Sequence, residues 1–354
     1  MSTFDNGTGK ISASDFSELI LPKQGKTRNE VKTGPAFGVD TAVIDLGNNQ
    51  GLAVSSDPLS LIPTLGLKES AWLSVQLLVN DMATTGFAPM YGQFVLNLPP
   101  DLTKSDFEEY WHYIHHFCRE AGVSITGGHT CQIEGQNSTI SGGGTMFLTA
   151  PLDQIITSDG AEPGDKILMT KESALISTSI LAQSFPNTVK KELGEPVYET
   201  ACKNFYRTSV LKDALIAADC LRPKKELKAM HDVTEGGILG AISEMAEASK
   251  CGFRVQSDRI SAGNAQKKVA KLFKLDHKQI VGAGSMIMVV KAGTEKNLIT
   301  RLEDEGIAAA VVGEFTEPDS GFTLLENGDE KNYQFDGNDP YWGAFFKAFK
   351  AGWD

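Results

Sequence analysis

Runs of positive charge are missing from this chain. Its 33 Lys and Arg stand against 45 Asp and Glu, a formal net charge of −12, and no Lys/Arg block of useful length occurs. Nucleic acid is therefore excluded as an expected partner, because phosphate backbones are held by clustered cations. Long apolar runs are missing too. Met1 to Lys32 has no signal-like stretch, and no later segment nears the roughly 18 apolar residues of a membrane span. A cytoplasmic protein without membrane contact is the expectation. Cysteine is sparse: five residues (Cys118, Cys131, Cys202, Cys220, Cys251), odd in number, widely spaced, with no C-x-x-C pair. They read as free thiols, each packed as a small hydrophobe. An acidic chain of this kind needs metal or backbone N–H groups to hold a small anion.

What is present is enough for two domains: 354 residues, 41% of them hydrophobic. Residues 1–35 are polar and Gly/Lys/Ser-rich, with one apolar knot at Phe16 to Leu21, and read as a flexible N-terminal arm. Periodicity then predicts strands at 42–44, 51–55, 90–98, 123–126 and 139–149, with helices over 69–85 and 103–121. Either Thr103 with Asp106 or Ser105 with Glu108 would cap the second helix. A turn cluster at 160–165 marks the boundary. Beyond it, helices are predicted at 173–184, 209–218, 237–249 and 294–305, and strands at 166–170, 253–256, 285–291 and 309–314. This mixing of strands and helices in both halves predicts an α+β (mixed α/β) fold. Its expected domains are 36–155 and 160–335, followed by a C-terminal segment 336–354 whose aromatics suit a short amphipathic helix.

Two near matches carry no site. Gly25-Lys26-Thr27 lacks the earlier glycine of a P-loop, Ile20 standing there, and His112, His115 and His116 do not form H-E-x-x-H. More informative are three aspartates where strands or helices meet loops. Asp40 precedes a strand, Asp57 follows one and is held extended by Pro58, and Asp81 lies inside the most apolar helix of the first half. A lone carboxylate in such a helix costs several kcal/mol, so it needs a partner or a cation. Three acids framed by small residues suit hard cations that hold phosphate oxygens, although each alone could be a cap or a solvated turn residue. Gly127-Gly128-His129-Thr130 is a loop whose glycines would let N–H groups approach an anion. The sharpest string is His231-Asp232-Val233-Thr234-Glu235-Gly236-Gly237, running into a helix. It offers an anion site at the helix start with acid/base groups beside it, or else a capped helix with a packed histidine.

In this order, over residues 36–316, these strings resemble the aminoimidazole ribonucleotide (AIR) synthetase superfamily, with its hydrogenase maturation factors, selenophosphate synthetases and thiamine-monophosphate kinases. Gly282-Ala283-Gly284-Ser285-Met286 and Val312-Gly313-Glu314-Phe315-Thr316 resemble late segments of the maturation-factor (HypE) branch. The resemblance implies a PurM-like homodimer, its first domains pairing into a barrel-like interface beside the ATP clefts. Asp40, Asp57 and Asp81 would hold Mg²⁺; Gly127, Gly128, His129 and Thr130, with Gly236 and Gly237, would approach the nucleotide; His231, Asp232 and Glu235 would face a small-molecule or protein-borne acceptor. ATP-driven phosphoryl transfer to, or activation of, an amide-type or other acceptor is the implied activity. The chain departs from its relatives: it ends in Trp353-Asp354 rather than a terminal cysteine, no cysteine precedes Cys118, and His129 and Val39 stand where many relatives have aspartate. A nucleotide-binding regulatory or scaffold dimer without turnover is the alternative reading.

Overall fold

The computed structural model describes residues 10–135, 140–335 and 337–354. Of the expected arm, residues 1–9 lie outside this set. The rest is attached to the body at both ends. A short helix α1 (Ala13–Asp15) runs into a π turn at Phe16–Ile20, and strand β1 (Val31–Thr33) pairs with β2 (Ala42–Gly47). β2 turns into β3 (Gln50–Ser60) through Asn48 and Asn49, both left-handed (φ 51° and 58°), the two-residue geometry that matches strand twist.

Helix α2 (Leu67–Ala83) follows, then β4 (Tyr91–Leu98), helix α3 (Lys104–Glu120), β5 (Ser124–Gln132) and β6 (Ser141–Pro151). Residue 139, the predicted start of this last strand, is outside the described set. The first sheet runs β1-β2-β3-β6-β4-β5, antiparallel except for the β4–β5 pair. α3 begins where Thr103 Oγ1 accepts the Asp106 N–H at 3.1 Å, so Thr103 supplies the cap. It buries Tyr110, Ile114, Phe117 and Cys118 and leaves His112, His115 and His116 exposed. α2 is buried almost all round because it has two neighbours. Leu78 and Val79 pack into the core of the first sheet, whereas Asn80 reaches the second half, its Nδ2 donating to Thr208 O and its Oδ1 accepting the Val210 N–H, both at 2.9 Å.

The second half holds β7 (Lys166–Thr170), helices α4 (Leu175–Ser184), α5 (Pro186–Leu193), α6 (Glu195–Lys203) and α7 (Leu211–Cys220), then β8 (Leu227–Asp232), α8 (Gly237–Ser249) and β9 (Gly252–Gln256). After α9 (Asn264–Leu272) come β10 (Met286–Val290), α10 (Glu295–Asp304), β11 (Ala309–Thr316), β12 (Phe322–Glu326), β13 (Asp329–Asn332) and α11 (Tyr341–Lys350). Its sheet runs β13-β12-β9-β11-β7-β10-β8. β10 is buried on both faces, which is why it reads as an unbroken apolar run. Ile287 and Val289 join one core with Ile238, Ile242 and Met245 of α8, while Met286, Met288 and Val290 join another with α7 and α10. The predicted C-terminal helix is α11, and it docks by Tyr341 and Phe345 against Phe185 and Phe273. Among the described residues no helix is long and apolar enough to cross a membrane. Helices α5, α6 and α9 and strands β1, β8, β12 and β13 were not expected from periodicity, and the string expected as a loop into α8 begins as the buried end of β8.

Candidate functional site

Where α2 and β3 meet the start of α8, a cavity of about 600 Å³ opens between the two sheets. Asp40, Asp57, Asp81 and Asp232 all reach its wall, from four separate segments. Asp40 arrives on the loop before β2. Gly38 lets that loop approach α8: its φ is +74°, and a Cβ there would lie 2.6 Å from Glu244 Cβ. Asp57 comes from β3, Asp81 from the last turn of α2, and Asp232 from the end of β8, an apolar strand that places its final residue at the cavity.

Crowding of these acids in a poorly solvated space controls their protonation. Burial pushes the Asp57 carboxyl up to about 7, helped by the Glu235 charge and opposed by Lys10. Asp81 lies well above the usual carboxylate range because it is buried and faces Asp232, Asp57 and Asp40, even though Ser55 Oγ donates to its Oδ2 at 2.6 Å. Asp232 is raised likewise, by burial and then by Asp40. Both Asp232 oxygens are buried and accept no hydrogen bond from the described residues. Buried carboxylate oxygens left without donors cost several kcal/mol, so the wall is matched to a species that supplies positive charge. An all-oxygen donor set of this kind fits Mg²⁺.

Behind the wall runs a line of alternating charges. His231 Nδ1 lies 3.0 Å from Asp40 Oδ2, its Nε2 lies 3.0 Å from Glu244 Oε2, and Lys10 Nζ lies 2.9 Å from Glu244 Oε1. Burial opposes charge on His231, but Asp40 and Glu244 outweigh it and hold the imidazole well above its ordinary pKa. Asp40, His231 and Asp232 also offer donor atoms within 4.8 Å of one another. Both ring nitrogens face carboxylates, which favours the protonated imidazole, and the Nδ1 contact to Asp40 is one of charge and proximity rather than an aligned hydrogen bond. His231 is 1% exposed and lies outside the cavity wall, so it does not face an acceptor as expected from the sequence. Glu235 does line the cavity, beside Thr234.

The glycine motifs fall elsewhere. Gly127, Gly128, His129 and Thr130 form the middle of β5, an edge strand, and are exposed rather than part of the wall. A Cβ on Gly128 would lie 1.9 Å from Phe94 O, so this glycine serves the close β4–β5 pairing. Gly236 and Gly237 do open α8, but the Gly236 N–H donates to Asp339 Oδ2 at 2.8 Å, so the chain supplies its own anion there. Sequence reasoning missed Lys10, Ser55, Glu244, Asp339 and Trp342. Only Glu244 carried a signal, as an acid on the buried face of a strongly apolar helix.

Residues 38–147 match the family described as AIR synthase related protein, N-terminal domain, and residues 162–325 match its C-terminal domain. The chain belongs to the AIR synthase-related family. Its relatives include a carbamoyl dehydratase HypE of Rhizobium leguminosarum bv. viciae, 26% identical over 258 residues (72% of this chain, 70% of the relative). A selenide, water dikinase of Methanococcus maripaludis is 26% identical over 263 residues (71% and 76%). The fold is shared with E. coli HypE, at TM-score 0.69 and 20% identity over 82% of this chain and 87% of that one. It is shared as well with AaThiL in complex with AMPPCP and TMP, at TM-score 0.71 and 16% identity over 93% and 98%.

Proposed function

We propose that this member is an ATP-dependent enzyme that uses Mg²⁺ to transfer a phosphoryl group to, or otherwise activate, an oxygen of an amide-type or other acceptor. The observation that carries the reading is the meeting of Asp40, Asp57, Asp81 and Asp232 at one cavity, with both Asp232 oxygens lacking donors among the described residues. A relative named as a dikinase adds support, as do neighbours of the same fold solved in complex with ATP or AMPPCP. Bound Mg²⁺ would neutralise polyphosphate charge and orient it. Asp57, Asp81 and Asp232 would hold the ion, and Asp40 would join them, braced by His231. Lys10, whose ammonium Glu244, Glu235 and Asp40 stabilise against burial, would offer a cation to the phosphate oxygens. Glu235 would take the proton when the acceptor is a hydroxyl. The acceptor oxygen then bonds to the γ-phosphorus as the bond to the bridging oxygen breaks and ADP leaves.

We also propose that two copies pair through the first sheet. Among the described residues β5 is an edge strand, and the face it continues exposes Tyr91, Val95 and Ile133, an apolar set unusual for solvent. In such a pair Gly127 to Thr130 would lie at the seam, where they would approach the nucleotide. The test is Mg²⁺-dependent ADP release by the wild-type chain, with Asp57→Asn and Asp81→Asn compared. Both substitutions keep shape and remove charge, so turnover should fall about 100-fold or more. Undiminished turnover in both would exclude the reading.

A further inference from the structure

The cavity is two-sided, and only its acidic side is used above. Its other side is formed by Leu73 and Leu77 of α2, Ile176 and Ile180 of α4, Val281, and Trp342 of α11. These come from both halves of the chain, and none carries a charge or, apart from the indole N–H, a hydrogen-bonding side chain. A charged or strongly polar group placed there would lose its water and gain no partner, at a cost of several kcal/mol. Trp342 is half-buried and its indole is held edge-on by Tyr341 and Phe345, with centroids 5.0 and 5.7 Å away. Such a ring offers a flat, pre-oriented surface suited to another ring.

The element that carries Trp342 is fastened at the cavity. Asp339 Oδ2 accepts the Gly236 N–H and its Oδ1 accepts the Tyr341 N–H, each at 2.8 Å, so one carboxylate joins the start of α8 to the start of α11. Trp342 is therefore set against the same helix start that follows Asp232 and Glu235. From this arrangement we infer that the acceptor is a small molecule with an uncharged body of aromatic size that docks on Trp342 and the aliphatic wall and directs its reacting oxygen toward the carboxylates. The inference rests on the phosphoryl-transfer reading for the second part and on the cavity alone for the first.

1-Naphthol, an uncharged bicyclic hydroxyl compound, is the probe. Titrated calorimetrically into the full chain without nucleotide, it should bind at one site, and it should still bind when ATP·Mg²⁺ is saturating. Trp342→Ala on α11 and Leu77→Gln on α2 should each weaken it about tenfold or more, whereas Trp342→Phe, which keeps a ring, should stay within about threefold. Variants on two elements and a conservative variant separate loss of the site from loss of the fold, which thermal melting of each variant reports. No binding to the wild type, unchanged affinity in both disruptive variants, or competitive displacement by ATP overturns the inference; displacement would assign the wall to the nucleotide base. ATP·Mg²⁺ binding to the wild type, measured alone, tests the phosphoryl-transfer reading separately.

Discussion

Each carboxylate at the cavity has a different neighbour, and the differences set how it responds to protons. Asp57 has an ordinary value of 3.8 and is pushed up to about 7. The folded, metal-free chain thus keeps a proton that the unfolded chain releases, so stability is highest at low pH on this account and falls as pH rises from about 4 to about 7. Mg²⁺ must displace that proton. Its stabilisation of the fold should be larger at pH 8 than at pH 5, and thermal melts with and without the ion at the two pH values would measure it. Glu244 has the opposite sign: burial would raise it, but His231 and Lys10 win and hold it low. Glu244→Gln takes a charge from the buried His231 and from the part-exposed Lys10, and breaking a buried pair such as His231–Glu244 costs about 3–5 kcal/mol. Urea denaturation at neutral pH should show that loss. The aspartates were legible as residues because acids inside apolar strings are expensive. Lys10 was not, since a lysine in a polar segment looks like any solvated lysine until Glu244 is seen beside it.

Among the elements, those with one clear period were readable and those with mixed surroundings were not. α3 shows a clean apolar stripe and was expected within a residue or so at each end. β10 was readable as an apolar run. α5 and α6 are short and separated by Gly194, with α6 opening on Glu195-Pro196, so their sequence reads as a broken loop; only packing on α4 and α9 makes them helices. Gly127 to Thr130 read as an anion loop because paired glycines serve close approach of any kind, and here the approach within one protomer is strand to strand. Asp339 shows how an element's position can depend on one side chain. Asp339→Ala removes the acceptor for two helix starts, each worth about 0.5–2 kcal/mol, and should lower the melting temperature by several degrees in a calorimetric scan.

For the whole molecule, the two sheets are joined by α2 and by the loop that carries Asp40, so the cavity exists only when both halves are folded and seated. That arrangement was legible in the order of motifs but not in their distances, because sequence spacing says nothing of how β8 and α2 face each other. The proposed pairing of copies makes a further prediction. Val95, 44% exposed on β4, would be covered in a pair. The wild-type chain should therefore run as a dimer and Val95→Lys as a monomer by light scattering after size exclusion, with ADP release falling alongside it.

Gly38 never touches the cavity, yet its backbone lies so near Glu244 that there is no room for even one methyl. A side chain at this position would lever Asp40 out of line and loosen the brace formed by His231 from the rear. Sequence variation there should thus be as tightly restricted as at any carboxylate, a steric constraint with a chemical penalty.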